Sequence, residues 1–136
     1  DKEDSMGLFW SGLPPIVIGE AERHDLLVLA MGGSGHSADA ADDLLYELGR
    51  ARVVHEARLP PDVVRMGSLA IISVDGSEKR MVRLTYPSDT GDGGVSILSP
   101  EGTAILGLRS GQSMTWTDRN GRVRRVDVHS VNNDAT

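Results

Sequence analysis

Apolar residues recur at helical spacing between residues 20 and 50. Leu26 and Leu29 share one face of a first helix predicted over 20–30, and its early acids suit the positive end of the helix dipole. After a glycine-rich break at 32–35, Ser37 is a residue of the N-capping type. The second helix carries one stripe at i, i+3, i+4 and i+7: Ala41, Leu44, Leu45 and Leu48. The pattern predicts a short antiparallel helical hairpin, a small coiled coil over 16–58, with its acids in solvent.

The texture changes to short β-type runs after residue 58, where we place a domain boundary. Turn signals at Asp75-Gly76 and Asn120-Gly121 separate alternating segments. Ser99 and Pro100 are typical of the cap and first turn of a brief helix that ends near Leu106. Strands are predicted at 69–74, 81–86, 95–98, 114–117 and 123–131. The predicted fold class is α+β: the hairpin, then an antiparallel β-sheet domain with one short helix over 59–131.

The two ends of the chain are predicted to be tails, at 1–15 and 132–136. The apolar run from Met6 to Trp10 is too short to cross a bilayer, and acids rather than bases precede it, so we expect no membrane association. A strand-like lead-in is expected at 16–18. The sequence contains no cysteine, which excludes disulfides, thiolate metal sites and cysteine nucleophiles.

Charge is divided unevenly along the chain. The formal net charge is -6, and residues 1–57 hold eleven acidic side chains against four basic ones. Direct binding to a nucleic-acid backbone needs clustered lysine and arginine, so we expect no direct DNA binding. An acidic first half favours a basic protein surface or a cation as partner.

Three local groupings admit a chemical interpretation beside a structural one. His36 with the acids at 39, 42 and 43 could bind a metal, although solvated helix acids are the more common case. The glycine loop lacks the lysine and the preceding strand of a phosphate-binding loop. The arginines at 119, 122, 124 and 125 could face nucleic acid or an acidic protein, or protect an edge strand by charge. Histidines 24 and 129 and the side chains Tyr86, Leu106, Met114 and Trp116 are interpreted as structural.

The residues from Leu84 to Pro87, Val95 to Leu98 and Ser99 to Gly111 resemble the C-terminal domain of the Gre transcription factors. The similarity continues through Trp116 and the closing hairpin, and residues 61–68 resemble the linker into that domain. One departure is Gln112, where many relatives carry an acid. The resemblance implies an FKBP-like antiparallel sheet packed on a short helix. It also implies a cytoplasmic partner, RNA polymerase, gripped at the rim of its secondary channel.

The resemblance assigns polymerase contacts to the loops of this domain. The implied docking residues are Tyr86, Pro87, Ser99, Pro100, Gly102 and Ile105. Gre-type transcript cleavage needs two acids at the hairpin end to hold a magnesium ion. The corresponding hairpin tip here is Gly33, Ser34, Gly35, His36 and Asp39. Asp39 is the one acid among these five residues.

Helix length leads to the same expectation. A helix of about 12 residues is roughly 18 Å long. The hairpin of a Gre factor is several times longer. We therefore expect a monomeric, non-enzymatic regulator without metal or cofactor, which occupies the channel rim and competes with Gre factors. The alternatives are a transcript-cleavage elongation factor or an FKBP-like prolyl isomerase or chaperone, and the low aromatic content of 4% disfavours an isomerase cavity.

Overall fold

The helical hairpin forms as the apolar spacing predicts. A computed structural model describes residues 13–32 and 37–133. Helix α1 spans Glu20–Gly32, two residues longer than predicted, and helix α2 spans Ala38–Arg50. The backbone N–H of Ala40 donates to Ser37 Oγ at 3.1 Å, so Ser37 is the N-cap of α2. Leu26, Leu44 and Leu48 are fully buried.

A two-stranded parallel ribbon closes the base of the hairpin. The sequence predicted a strand-like lead-in at 16–18, within one residue of the first strand, but not the second strand with which it pairs. Strand β1 (Val17–Gly19) pairs with β2 (Arg52–Val54), and a 3₁₀ helix (Glu56–Arg58) follows. The carboxylate of Glu56 accepts hydrogen bonds from the backbone N–H groups of Ala21 at 2.7 Å and Glu22 at 3.3 Å. A side chain from beyond the hairpin therefore satisfies the free donors at the start of α1.

A five-stranded sheet forms the rest of the fold. Its strands are β3 (Leu69–Val74), β4 (Arg80–Thr85), β5 (Gly94–Ser96), β6 (Ser113–Thr117) and β7 (Val123–Asn132). They lie in the order β5-β4-β3-β7-β6, with the short helix α3 (Pro100–Ile105) between β5 and β6 in sequence. The strand positions agree with the prediction to within two residues. Asn133, in the predicted tail, donates its side-chain amide to the carbonyls of Pro61 and Val63 at 2.9 Å.

The sheet is mixed, so the prediction of a purely antiparallel sheet was wrong. Strand β5 runs parallel to β4, with Leu84 opposite Val95, whereas the other neighbouring pairs are antiparallel. A 3₁₀ helix (Pro87–Asp89) and a turn at Gly93, whose φ is +76°, carry the chain back before β5 begins. A short hairpin loop would have forced antiparallel pairing, but these intervening residues let the chain reverse twice.

Both predicted turns are present, with different geometry. Asp75 and Gly76 adopt φ of +53° and +76°, and the Ser77 N–H donates to the Val74 carbonyl at 3.0 Å. The β6–β7 connection is longer than a two-residue turn across Asn120-Gly121. In this connection the Gly121 N–H donates to the carbonyl of Asp118 at 3.0 Å, and Gly121 alone has positive φ, +79°, among its turn residues.

One cluster of buried side chains joins the hairpin to the sheet. Ile16, Leu26 and Leu44 contribute from the helical part, and Ile72, Leu84 and Val128 contribute from the sheet. Helix α3 adds Ile105, and the residue after it, Leu106, is also fully buried. The hairpin therefore rests on the sheet domain through shared apolar contacts, which sets where its free end points.

Candidate functional site

The parallel pairing of β4 and β5 gathers the predicted docking segments at one end of the sheet. The N–H of Ile97 donates to the carbonyl of Thr85 at 2.8 Å, directly beyond the β5 end. The chain leaves β4 through Tyr86 and Pro87 and leaves β5 towards Ser99. The two loops thus begin next to each other, at the carboxyl ends of the neighbouring strands β4 and β5.

The second of these loops is held by hydrogen bonds around Ser99. Its Oγ accepts from the Gly102 N–H at 3.0 Å and donates to the Ser96 carbonyl at 2.7 Å. Thr103 Oγ1 donates to the Ile97 carbonyl at 2.7 Å, from a buried position. The predicted cap at Ser99 is confirmed, and the exposed Pro100 is presented from a fixed first turn.

The six predicted docking residues differ in exposure. Pro87 and Pro100 are exposed, and Tyr86 and Ser99 are half-buried. Ile105 is fully buried, and a Cβ on the buried Gly102 would overlap the Ser96 carbonyl oxygen. Gly102 and Ile105 therefore shape the loop from beneath and present no side chain to a partner. Burial raises the pKa of the Tyr86 phenol, and Asp25 and Glu22 add to the effect, so Tyr86 remains a hydrogen-bond donor at neutral pH.

An apolar groove lies beside Pro100, between helix α2 and strand β6. Its volume is about 380 Å³, and its apolar walls are Leu13, Tyr46, Pro100, Ala104, Met114 and Trp116. Met114 and Leu106 are buried, as predicted for core residues, but Trp116 is only half-buried and lines the groove. This groove was not predicted from the sequence, because its walls come from four separate segments of the chain. The signal available was the alternation of Met114 and Trp116 along β6.

The part of the chain that carries these loops matches a known family. Residues 59–133 match the family described as "Transcription elongation factor, GreA/GreB, C-term". The chain belongs to the GreA/GreB family. The resemblance drawn from the Ser99–Gly111 region is thereby confirmed, and the family model that it matches is one of transcription elongation factors.

Named proteins and a solved structure are similar to this chain over most of its length. "Regulator of nucleoside diphosphate kinase" of Escherichia coli K12 is 34% identical over 120 residues, covering 85% of this chain and 87% of that protein. The protein of the same name from Shigella flexneri has the same values. A solved elongation factor GreA/GreB from Nitrosomonas europaea is 36% identical, with a TM-score of 0.68, and covers 86% of this chain and 98% of its own.

The predicted hairpin tip contains one acidic residue, Asp39. Gly33, Ser34, Gly35 and His36 lie outside the described residues. Asp39 lies in the first turn of α2, where its Oδ2 is 3.2 Å from the Nε of Arg119, and both side chains are largely exposed. Within residues 13–32 and 37–133, no group of three or more His, Asp or Glu side chains is arranged to hold a metal ion.

The arginines near the β6–β7 turn are mostly paired within this GreA/GreB-type chain. Arg124 Nε lies 2.6 Å from Asp75 Oδ2, and Arg125 Nε lies 3.0 Å from Asp127 Oδ1. With Arg119 paired to Asp39, little unpaired positive charge remains for a phosphate backbone. The structure favours the interpretation of a charge-protected edge over a nucleic-acid surface.

His129 precedes Ser130 in the sequence, but its side chain contacts a different serine. His129 Nε2 lies 2.8 Å from Ser73 Oγ, across the β3–β7 pair, and Ser73 is buried. The nearby Asp127 is hydrogen-bonded to Ser113 and Arg125 instead. This arrangement supports the structural interpretation of His129. No helix in the described part of the chain is long and apolar enough to cross a membrane.

Proposed function

We propose that this chain is a transcription regulator that binds RNA polymerase at the rim of the secondary channel. There it competes with Gre factors and leaves transcript cleavage unstimulated. The chain acts as a cytoplasmic monomer in this proposal, without direct contacts to DNA. Membership of the GreA/GreB family supports polymerase as the kind of partner. The proposal also includes an FKBP-like fold for the sheet domain.

The observation that carries the non-catalytic part is the short, acid-poor end of the hairpin. Each helix has 13 residues, so each rises about 20 Å at ~1.5 Å per residue. The segment 31–37 contains no Asp or Glu, and Asp39 is already engaged with Arg119. A magnesium ion delivered for hydrolysis prefers several oxygen ligands, and this hairpin end offers too few.

The docking surface in this proposal is the sheet end that carries Pro87 and Pro100, with Tyr86 and Ser99 beside them. Both prolines are exposed, and the hydrogen bonds of Ser99 fix the second loop in advance of binding. A preorganised loop loses little conformational entropy when it binds. The exposed acids of the hairpin, such as Asp25 and Asp42, would favour an orientation towards basic channel walls.

Pull-down of core RNA polymerase with a charged substitution at Pro100 tests the docking surface. Glutamate is accepted in the first turn of a helix, so Pro100→Glu preserves α3 while placing a charge on the surface. Ser99 is unsuitable because its replacement removes the cap. We expect Pro100→Glu to reduce polymerase capture at least tenfold.

The matched control is Pro61→Glu, since Pro61 is also exposed but lies outside the docking surface. We expect this control to capture polymerase as the unaltered chain does. Equal capture by both variants would remove Pro100 from the interface. Failure of the unaltered chain to capture polymerase would overturn the proposed partner.

A further inference from the structure

A basic cleft lies at the base of the hairpin, apart from the proposed docking loops. Its volume is about 930 Å³, within the range that accommodates small ligands. The β1–β2 ribbon, the 3₁₀ helix that follows it and the loop after α3 form its walls. The lining residues with ionisable side chains are Glu20, Arg52, His55, Arg58 and Arg109.

Two of the cleft arginines have no acidic partner among the residues that the structure describes. Within the described residues, the ion pairs include neither Arg52 nor Arg58, and both side chains are exposed. This contrasts with Arg50, paired to Glu47, and with the paired arginines near the β6–β7 turn. Unpaired guanidinium groups in a concave site are suited to bind phosphate oxygens by two parallel N–H bonds.

The third arginine is held in place. Arg109 Nε and Nη2 both approach Asp62 Oδ1, at 3.0 Å and 2.9 Å. A guanidinium carries five N–H donors, so this pairing orients Arg109 and leaves donors for a ligand. Asp62 offsets the charge of Arg109 but fixes its position, which favours binding of a shaped anion over a diffuse counterion.

His55 adds a further donor to the cleft. Its Nδ1 accepts the Ala57 N–H at 3.1 Å, so in the neutral ring the proton resides on Nε2. Glu20 is the acid among the lining residues, whereas the Glu56 carboxylate is turned to the N–H groups at the start of α1. The lining therefore carries three guanidinium groups and one carboxylate, and a second carboxylate, Asp62, pairs with Arg109.

The cleft also has an apolar wall. Val17, Val53, Val54 and Pro60 line it, and Val53 is 41% exposed, which is unusual for a valine. The formal net charge of -6 disfavours binding of an extended polyanion such as nucleic acid. A small molecule with phosphate groups at one end and an apolar or aromatic body at the other fits both features.

We propose that this cleft binds a small organic phosphate. Arg52 and Arg58 contact the phosphate oxygens, Arg109 orients them, and the valine wall takes the body of the ligand. The proposal is independent of polymerase binding, because the cleft residues are not among the docking residues.

Isothermal titration of the full chain tests this site, with inorganic pyrophosphate and ADP as probes at low ionic strength. Variant Arg52→Ala/Arg58→Ala removes the two unpaired charges. Its matched control, Arg80→Ala/Arg122→Ala, removes the same charge from exposed positions outside the cleft. We expect both probes to bind the unaltered chain and the control, ADP at least threefold more tightly, and the cleft variant to lose at least tenfold in affinity for both.

Three results would overturn parts or all of this inference. Absence of binding to the unaltered chain would overturn the site. Equal losses in the two double variants would show attraction to overall charge rather than to the cleft. ADP binding no tighter than pyrophosphate would overturn the role of the valine wall. Circular dichroism of both variants checks that a lost signal does not come from unfolding.

Discussion

Arg50 and Glu47 form a two-point ion pair beneath the apolar groove. Arg50 Nε lies 2.9 Å from Glu47 Oε2 and Nη2 lies 2.9 Å from Oε1, with the side chains only 17% and 5% exposed. The same guanidinium donates through Nη1 to the Pro14 carbonyl at 2.6 Å. One arginine thus ties the end of α2 to the segment that enters the hairpin.

We predict that Arg50→Met destabilises the fold by about 3 kcal/mol, because it leaves the buried Glu47 carboxylate without its partner. The measurement is urea unfolding followed by circular dichroism. The double variant Glu47→Gln/Arg50→Met should be more stable than the single variant, since it also removes the unpaired charge. The single variant Glu47→Gln completes the comparison. If the loss in the double variant equals the sum of the losses in the two single variants, the coupling is contradicted.

Gly102 is predicted to tolerate no side chain. Alanine there would place Cβ against the Ser96 carbonyl, a backbone atom that cannot move aside, so Gly102→Ala should cost about 1–3 kcal/mol. A Cβ added to Gly49, in α2, would have no neighbour within 4 Å, and Gly49→Ala should stabilise the fold by up to about 1 kcal/mol. Thermal unfolding of both variants measures the difference. Equal shifts of the two melting temperatures would show that the close approach at Gly102 is absent.

Glu22 is predicted to make stability depend on pH. Burial raises its pKa above the ordinary 4.5, partly opposed by the Met66 N–H bond and by Arg65, and reinforced by Glu56 and Asp25. The folded chain therefore holds this proton more tightly than the unfolded chain. The resulting stability is complete below pH 4.5 and is lost as the pH rises through the folded pKa.

Glu22→Gln isolates this effect because glutamine can still accept the Met66 hydrogen bond and never ionises. Relative to the unaltered chain, the variant should gain stability as the pH rises from below 4.5 to 7. Urea midpoints across that range provide the measurement. A difference that stays constant with pH would show that Glu22 ionises equally easily in both states.

Local side-chain chemistry explains which elements were predictable. Ser37 and Ser99 cap helices because each hydroxyl accepts a hydrogen bond from the backbone N–H three residues later. Such a short separation makes the cap recognisable from the local sequence. The strand at 69–74 has enough apolar length to be recognised. These features depend on neighbouring residues only, and the structure confirms them.

Strand orientation and burial depended on distant partners. Strand β2 has three residues and exists by pairing with β1 across the whole hairpin, so no local pattern marks it. The parallel direction of β5 follows from the path of the loop at 86–93. Gly102 and Ile105 were assigned as contact residues on resemblance, yet packing against Ser96 and the sheet buries them. The basic cleft likewise combines segments far apart in sequence.

Transcript cleavage in backtracked polymerase complexes tests the central claim most directly. The measurement is the rate of RNA shortening with this chain alone, and with a cleavage-stimulating Gre factor while this chain is titrated in. The account predicts the intrinsic rate with the chain alone, and a dose-dependent loss of Gre-stimulated cleavage that Pro100→Glu abolishes. RNA shortening by this chain above the intrinsic rate of the polymerase would contradict it.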